Sequence, residues 1–167
     1  MALTLVATAG DASANTYISL ADAETYFESR LYATDWSGAT TGNKNIALVY
    51  ATRLIDQQMA FIGVKAEDTQ ALQWPRTGAI DRNGYPIDYT TIPDEITYAT
   101  AEFALFLLCE DRASDPAGQG IKQIQVDVIS IKFDATTVKP VMPQAVWNIL
   151  KFYGVKASSV HRTLKRA

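Results

Sequence analysis

A chain of 167 residues with 48% apolar and 20% charged side chains, nine Gly, six Pro and a mean hydropathy of −0.03 has the make-up of an ordinary globular domain. That excludes collagen-like, low-complexity and disulfide-scaffold chains, and the longest apolar runs, Phe103–Cys109 and Val146–Leu150, fall far short of the roughly 20 residues a bilayer span takes. The formal charge of −3 is unevenly spread: residues 1–134 hold all eighteen acids against nine Lys and Arg, whereas 135–167 carry Lys139, Lys151, Lys156, Arg162, Lys165 and Arg166 and no acid. A chain divided in this way presents its two parts to different partners. The N-terminal MALTLVATAGDASA has no positive charge ahead of its apolar stretch, so no secretory signal is expected.

Residues 2–8 alternate loosely, as an edge strand would, before the small and polar run Gly10–Asn15. Ser19 then precedes Leu20–Tyr32 with Asp22 three residues on, the spacing of a capping box, and Leu20, Ala23, Phe27 and Leu31 predict a short amphipathic helix. The cluster Thr34–Asn43 breaks the pattern. Ile46, Val49, Tyr50, Leu54, Ile55 and Met59 mark a second helix over 44–62. Residues 63–93, punctuated by Trp74-Pro75, Asn83-Gly84-Tyr85-Pro86 and Ile92-Pro93, read as a long ordered surface loop with a tight turn over Arg82–Tyr85. Thr91 is the expected cap of a third helix with Pro93 early in it. Its Ile96, Ala99, Phe103, Phe106 and Leu107 line one face, and Leu105 and Leu108 extend the apolar surface, which makes it the central buried helix.

Over 121–134, Ile124, Val126 and Val128 fall on one face of a period-two pattern and Ile129, Ile131 and Phe133 on the other, with a slip near Val128 that predicts a bulge or hairpin bend. A lone strand pair is marginal in water, so this β element calls for a partner. Pro143 opens a last helix to about Tyr153, with Val146, Trp147, Leu150 and Tyr153 inward. The predicted fold is mainly α: a small bundle of about four helices with a short β element in a domain over 1–155, and a basic C-terminal arm over 156–167. A solvated terminus is the alternative reading of that arm.

Little in the sequence supports catalysis. The one histidine, His161, sits in the basic segment with no carboxylate near it in sequence, and no metal-ligand, dinucleotide or phosphate-loop spacing occurs. Cys109 has no second Cys to pair with and reads as a small buried hydrophobe. The pairs Glu67-Asp68, Asp94-Glu95 and Glu110-Asp111 read as solvated faces or, for Asp94-Glu95, as acids at a helix N-terminus. No enzyme activity, cofactor or metal is expected. Trp74, Arg76, Arg82 and Tyr85 have the aromatic and Arg make-up that stacks on single-stranded bases. Against that, residues 63–93 contain four acids and three basic residues, and the bland alternative packs Trp74 on the helices and pairs Arg76 with an acid.

The segments TYISLADAETYF, ALVYATRLID, DTQALQWPRTGAIDRNGYPI and TIPDEITYATAEFALFLL, in that order over about residues 16–112, resemble the head-tail connector, or adaptor, proteins of tailed phages, a group that overlaps the DnaT-like single-stranded DNA-binding family. The connector resemblance implies a structural virion protein, located in the neck after assembly in the host cytoplasm. It would form a ring of twelve copies under the portal protein, receive the tail and conduct DNA without specific binding or membrane contact. It implies portal docking through Lys156, Val160, Arg162, Leu164, Lys165 and Arg166, and contacts to neighbouring subunits or the tail through Trp74, Arg76, Arg82, Tyr85, Ile124, Val126 and Val128. The DnaT-like resemblance implies instead a single-stranded DNA-binding protein, the alternative reading.

Overall fold

A computed structural model describes residues 3–111, 123–126, 129–132 and 140–157. The elements run α1 (Leu20–Glu28), α2 (Thr34–Gly38), α3 (Thr41–Gln58), β1 (Met59–Phe61), β2 (Val64–Lys65), β3 (Arg76–Thr77), α4 (Asp94–Cys109), β4 (Gln123–Val126), β5 (Ile129–Lys132), α5 (Gln144–Leu150) and β6 (Gly154–Lys156). The predicted four-helix bundle is therefore corrected to a mixed fold in which, among the described residues, five helices accompany small antiparallel strand pairs: β1 with β6, β2 with β3, and β4 with β5. Among the described residues no helix is long and apolar enough to cross a membrane.

Local chemistry sets the helix starts. The Ser19 hydroxyl accepts the Asp22 backbone N–H at 3.1 Å and donates to the Asp22 carboxylate at 2.6 Å, so the capping box forms as the sequence reads. Thr40 caps α3 through the Asn43 N–H. Two expectations fail here. Thr91 does not cap α4; Pro93 occupies that position without a side-chain bond, and the Thr91 hydroxyl bonds Asp88 instead. Residues 3–8 form no strand, because the Asn15 side chain takes the Val6 N–H and the Thr4 carbonyl into a local loop.

α4 is the central helix, packed on α3 and α5 and flanked by α1 and α2, with Ile96, Ala99, Ala101, Phe103 and Ala104 inaccessible to solvent. Its Glu102 receives the Arg30 guanidinium at 2.8 and 3.0 Å and the Tyr26 hydroxyl at 2.8 Å, which ties α1 to the core through a nearly buried carboxylate. Cys109, predicted to be buried, is exposed at the end of α4, and its thiol contacts Asp35 at 3.2 Å.

The second predicted helix stops at Gln58 because Met59–Phe61 pairs antiparallel with Gly154–Lys156. Gly154 permits this pairing: a Cβ there would sit 2.4 Å from the Ala60 carbonyl oxygen. Lys156, read as the first residue of the arm, is thereby a strand residue registered against Met59.

Candidate nucleic-acid interface

The turn that follows β3 is built by Asp81. Its carboxylate accepts the Asn83 and Tyr85 N–H groups, each at 2.8 Å, and its N–H donates to the Tyr85 carbonyl at 2.9 Å. Gly84 supplies the positive φ of 88°. These bonds hold the Asp81 carboxyl below the usual range, the Tyr85 N–H being the largest cause. They also fix Arg82 at the corner of the turn, where its guanidinium lies 4.8 Å from the centroid of the Phe152 ring.

Phe152 is presented by the end of α5. Leu150 points into the core, the Tyr153 N–H bonds the Leu150 carbonyl at 2.8 Å, and Tyr153 turns inward to meet the Trp74 ring edge-on at 5.8 Å. Burial, and then the neighbouring Glu95, pushes the Tyr153 phenol well above its ordinary range, so it stays neutral. Phe152, left outside, is 45% exposed. The Lys151 ammonium lies 5.2 Å from the same ring, and the Lys156 ammonium 5.0 Å from the ring of Trp147, one helical turn before Lys151. Arg82, Lys151 and Lys156 are all exposed.

Arg30 and Lys44 are committed elsewhere. Arg30 pairs with Glu102 and Lys44 with Glu24 at 2.8 Å. A cavity of about 610 Å³ between the N-terminal loop, α1 and α4 is lined by Asp22, Asp94 and hydroxyl groups with no Lys or Arg, which suits no polyanion. Among the described residues no group of three or more His, Cys, Asp or Glu gathers to hold a metal ion.

The structure separates the residues the sequence put together. Trp74 is 1% exposed, packed between Phe61 and Tyr153 beside a cis peptide to Pro75. Arg76 is 8% exposed, and its guanidinium donates to the Ile62, Gly63 and Gln73 carbonyls at 2.7, 2.7 and 3.0 Å. It clasps the backbone and does not take the acid partner the bland reading gave it. Beneath it, Asp56 accepts the Tyr17 hydroxyl and the Gln73 N–H, and burial pushes its carboxyl up to about 6. Neither Trp74 nor Arg76 can reach a ligand from this network. Arg82 and Tyr85, the latter 69% exposed, remain at the surface. Ile124 and Val126 lie in β4; Val128, Val160, Arg162, Leu164, Lys165 and Arg166 lie outside the described residues. Trp147 packs half-buried against the core, on the inward side expected of it, while also lying under Lys156; Phe152 is the surface group that sequence reasoning missed, although the interleaving of Trp147, Lys151, Phe152 and Lys156 was the available signal.

A family model described as "Putative DnaT-like ssDNA binding protein" matches residues 1–167. No curated protein and no solved structure matches the chain. The match spans the whole sequence, including the C-terminal third, and it overturns the head-tail connector assignment together with the virion, portal-docking and twelve-copy ring readings that came with it. The alternative reading of the sequence is the one it supports.

Proposed function

The chain belongs to this DnaT-like ssDNA-binding family, and from that premise we propose that it binds single-stranded DNA through the surface formed by Arg82, Lys151, Phe152, Trp147 and Lys156. One observation carries the reading: three exposed cations each lie 4.8 to 5.2 Å from an aromatic centroid, two of them, Lys151 and Lys156, in the acid-free C-terminal part of the sequence and the third, Arg82, brought to them from the acidic loop. A cation resting on a ring is partly desolvated and held extended, so it meets a phosphate with less side-chain ordering to come. Once a phosphate draws a cation off its ring, the face it leaves is open to a base in any sequence, an interaction worth roughly 1 to 3 kcal/mol per base. Arg162, Lys165 and Arg166 follow in the sequence without an intervening acid and add to the charge that draws the strand in.

The remainder of the molecule opposes binding. Eighteen acids against nine basic residues over 1–134 repel a polyanion, which confines the strand to the C-terminal face and keeps affinity modest. At about 0.15 M salt the dissociation constant for oligothymidylate is expected near 10⁻⁴ to 10⁻⁵ M. The role is one of binding and not of bond-making. Fluorescence anisotropy of a labelled oligothymidylate, read across a salt series, tests the proposal. Lys151→Ala and Lys156→Ala should each weaken binding and lower the log–log salt slope by about 0.7, the change expected when a single strand has one fewer phosphate neutralised. A slope unchanged in both variants would remove this surface from the DNA-binding site.

A further inference from the structure

The cavity between the N-terminal loop, α1 and α4 shares no residue with the surface assigned to DNA, and its volume of about 610 Å³ falls within the roughly 300 to 1,000 Å³ of small-molecule sites. The hydroxyl groups in its wall have spent their hydrogens inside the protein. Ser19 Oγ donates to the Asp22 carboxylate at 2.6 Å, Thr25 Oγ1 to the Ala21 carbonyl at 3.1 Å, Ser29 Oγ to the Tyr26 carbonyl at 3.0 Å and Thr97 Oγ1 to the Asp94 carbonyl at 2.7 Å. The Tyr26 hydroxyl donates to Glu102 at 2.8 Å. A hydroxyl in this state has only lone pairs left to offer.

The rest of the wall has the same character. Asp22 and Asp94 add two exposed carboxylates, and no Lys or Arg lines the cavity. The two helix starts supply few donors: the Asp22 N–H is taken by Ser19 Oγ at 3.1 Å, and those of Ile96 and Thr97 by the Pro93 carbonyl at 2.9 and 3.3 Å. Tyr26 and Tyr98 also line the cavity, stacked with their centroids 5.0 Å apart, and Tyr98 is 42% exposed. An accessible aromatic pair thus stands beside a wall that accepts hydrogen bonds and carries negative charge.

We propose that this cleft binds a small aliphatic diamine or polyamine, whose ammonium groups meet the Asp22 and Asp94 carboxylates and whose methylene spacer lies along the tyrosines. An ammonium carries three donors and no acceptor, the complement of this wall. A neutral sugar or amide brings acceptors of its own, which would find few donors here, and an anion would face two carboxylates. Carboxylates on two separate helices match two charges joined by a spacer better than one charge alone. Tyrosine rings take up both parts of such a ligand, the cation by its attraction to the ring face and the alkyl chain by apolar contact. Both acids are exposed, so each ion pair is screened and weak. At about 0.02 M salt a dissociation constant of about 10⁻³ M is expected for putrescine.

Two-dimensional amide NMR of the full chain without DNA, titrated with putrescine from about 0.1 to 10 mM, reads binding around that value. Saturable shifts should gather on α1 and its cap and on the first turns of α4. Diacetylputrescine, which has the same spacer and no charge, should produce none. Asp94→Asn and Tyr98→Ala should each weaken putrescine binding about threefold or more, whereas Asp68→Asn, the same charge change on exposed surface outside the cleft, should leave it within about 1.5-fold. The dispersion of the same spectra shows that each variant is folded. Shifts that spread over the acidic surface without saturating, an equal response to diacetylputrescine, or equal losses in Asp94→Asn and Asp68→Asn would overturn the proposal. So would tighter binding of an acetylated, amidated Lys-Gly-Lys peptide of the same charge, which would make the cleft a seat for a protein's lysines.

Discussion

Trp74 carries the largest side chain in the wall between the loop 63–93 and α5, and its loss is a stability event. Its ring meets Phe61 and Tyr153 edge-on at 5.8 Å each and is almost inaccessible to solvent. Trp74→Ala should cost about 3 to 5 kcal/mol in chemical unfolding, the usual range for emptying such a site, while folded protein at low temperature keeps its DNA affinity. Asp56 makes a second prediction with a definite sign. Its folded carboxyl titrates at about 6 against 3.8 in the unfolded chain, because burial disfavours the charge. A raised carboxyl contributes fully below the unfolded value, and the contribution is lost as pH rises through the folded one. Between pH 4 and 7 wild type should therefore lose stability relative to Asp56→Asn by about 2 kcal/mol in urea titrations. The depressed carboxylates Glu24, Asp81, Asp88 and Glu102 pull the other way, but they are common to both proteins and cancel in the difference. A gap that stays flat across the range would mean that Asp56 ionises normally in its pocket. At this scale the sequence is a poor guide: Trp74, Pro75 and Arg76 read as a surface aromatic and basic motif, and only the fold reveals that Arg76 spends its donors on three backbone carbonyls.

The elements differ in how much of themselves they show in the sequence. The longer helices are visible there, since α1 has its capping box, α4 its apolar surface and α5 its Pro143 start, whereas α2 falls within the cluster read as a break and α1 ends at Glu28, short of the expected Tyr32. The strands are not. β1, β2, β3 and β6 are two or three residues long, too short for a period of two to register, and β1 finds its partner at the far end of the chain. The second helical pattern overruns α3 for that reason, Met59 and Ile62 keeping apolar spacing after the chain has left the helix. Gly154 is the position on which the β1–β6 pairing depends. Gly154→Ala forces a methyl to 2.4 Å from the Ala60 carbonyl oxygen, where only backbone can give way. The variant should lose about 2 kcal/mol or more, read from its thermal midpoint. Because β6 carries Lys156 to Trp147, it should also weaken oligothymidylate binding while Ser19→Ala, a cap loss of about 1 kcal/mol, does not.

Across the whole molecule, charge and packing point in the same direction. On the proposed reading the acidic body repels DNA, and α5 and β6 set out Lys151, Phe152 and Lys156 on it, with Arg82 of the turn beside Phe152. The charge division is legible from the sequence alone. That it ends in a folded surface and not only in an arm is not, because the anchor is the nonlocal β1–β6 pair. The central claim places single-stranded DNA on this surface and away from the Trp74 loop, and the three tryptophans allow a direct test. Trp36 and Trp74 are each 1% exposed, whereas Trp147 lies partly exposed under Lys156. Titration of the intact protein with unlabelled oligothymidylate, followed by intrinsic tryptophan emission, should show quenching that persists in Trp74→Phe and disappears in Trp147→Phe. Quenching that survives in Trp147→Phe and vanishes in Trp74→Phe would contradict the account and return DNA binding to the loop.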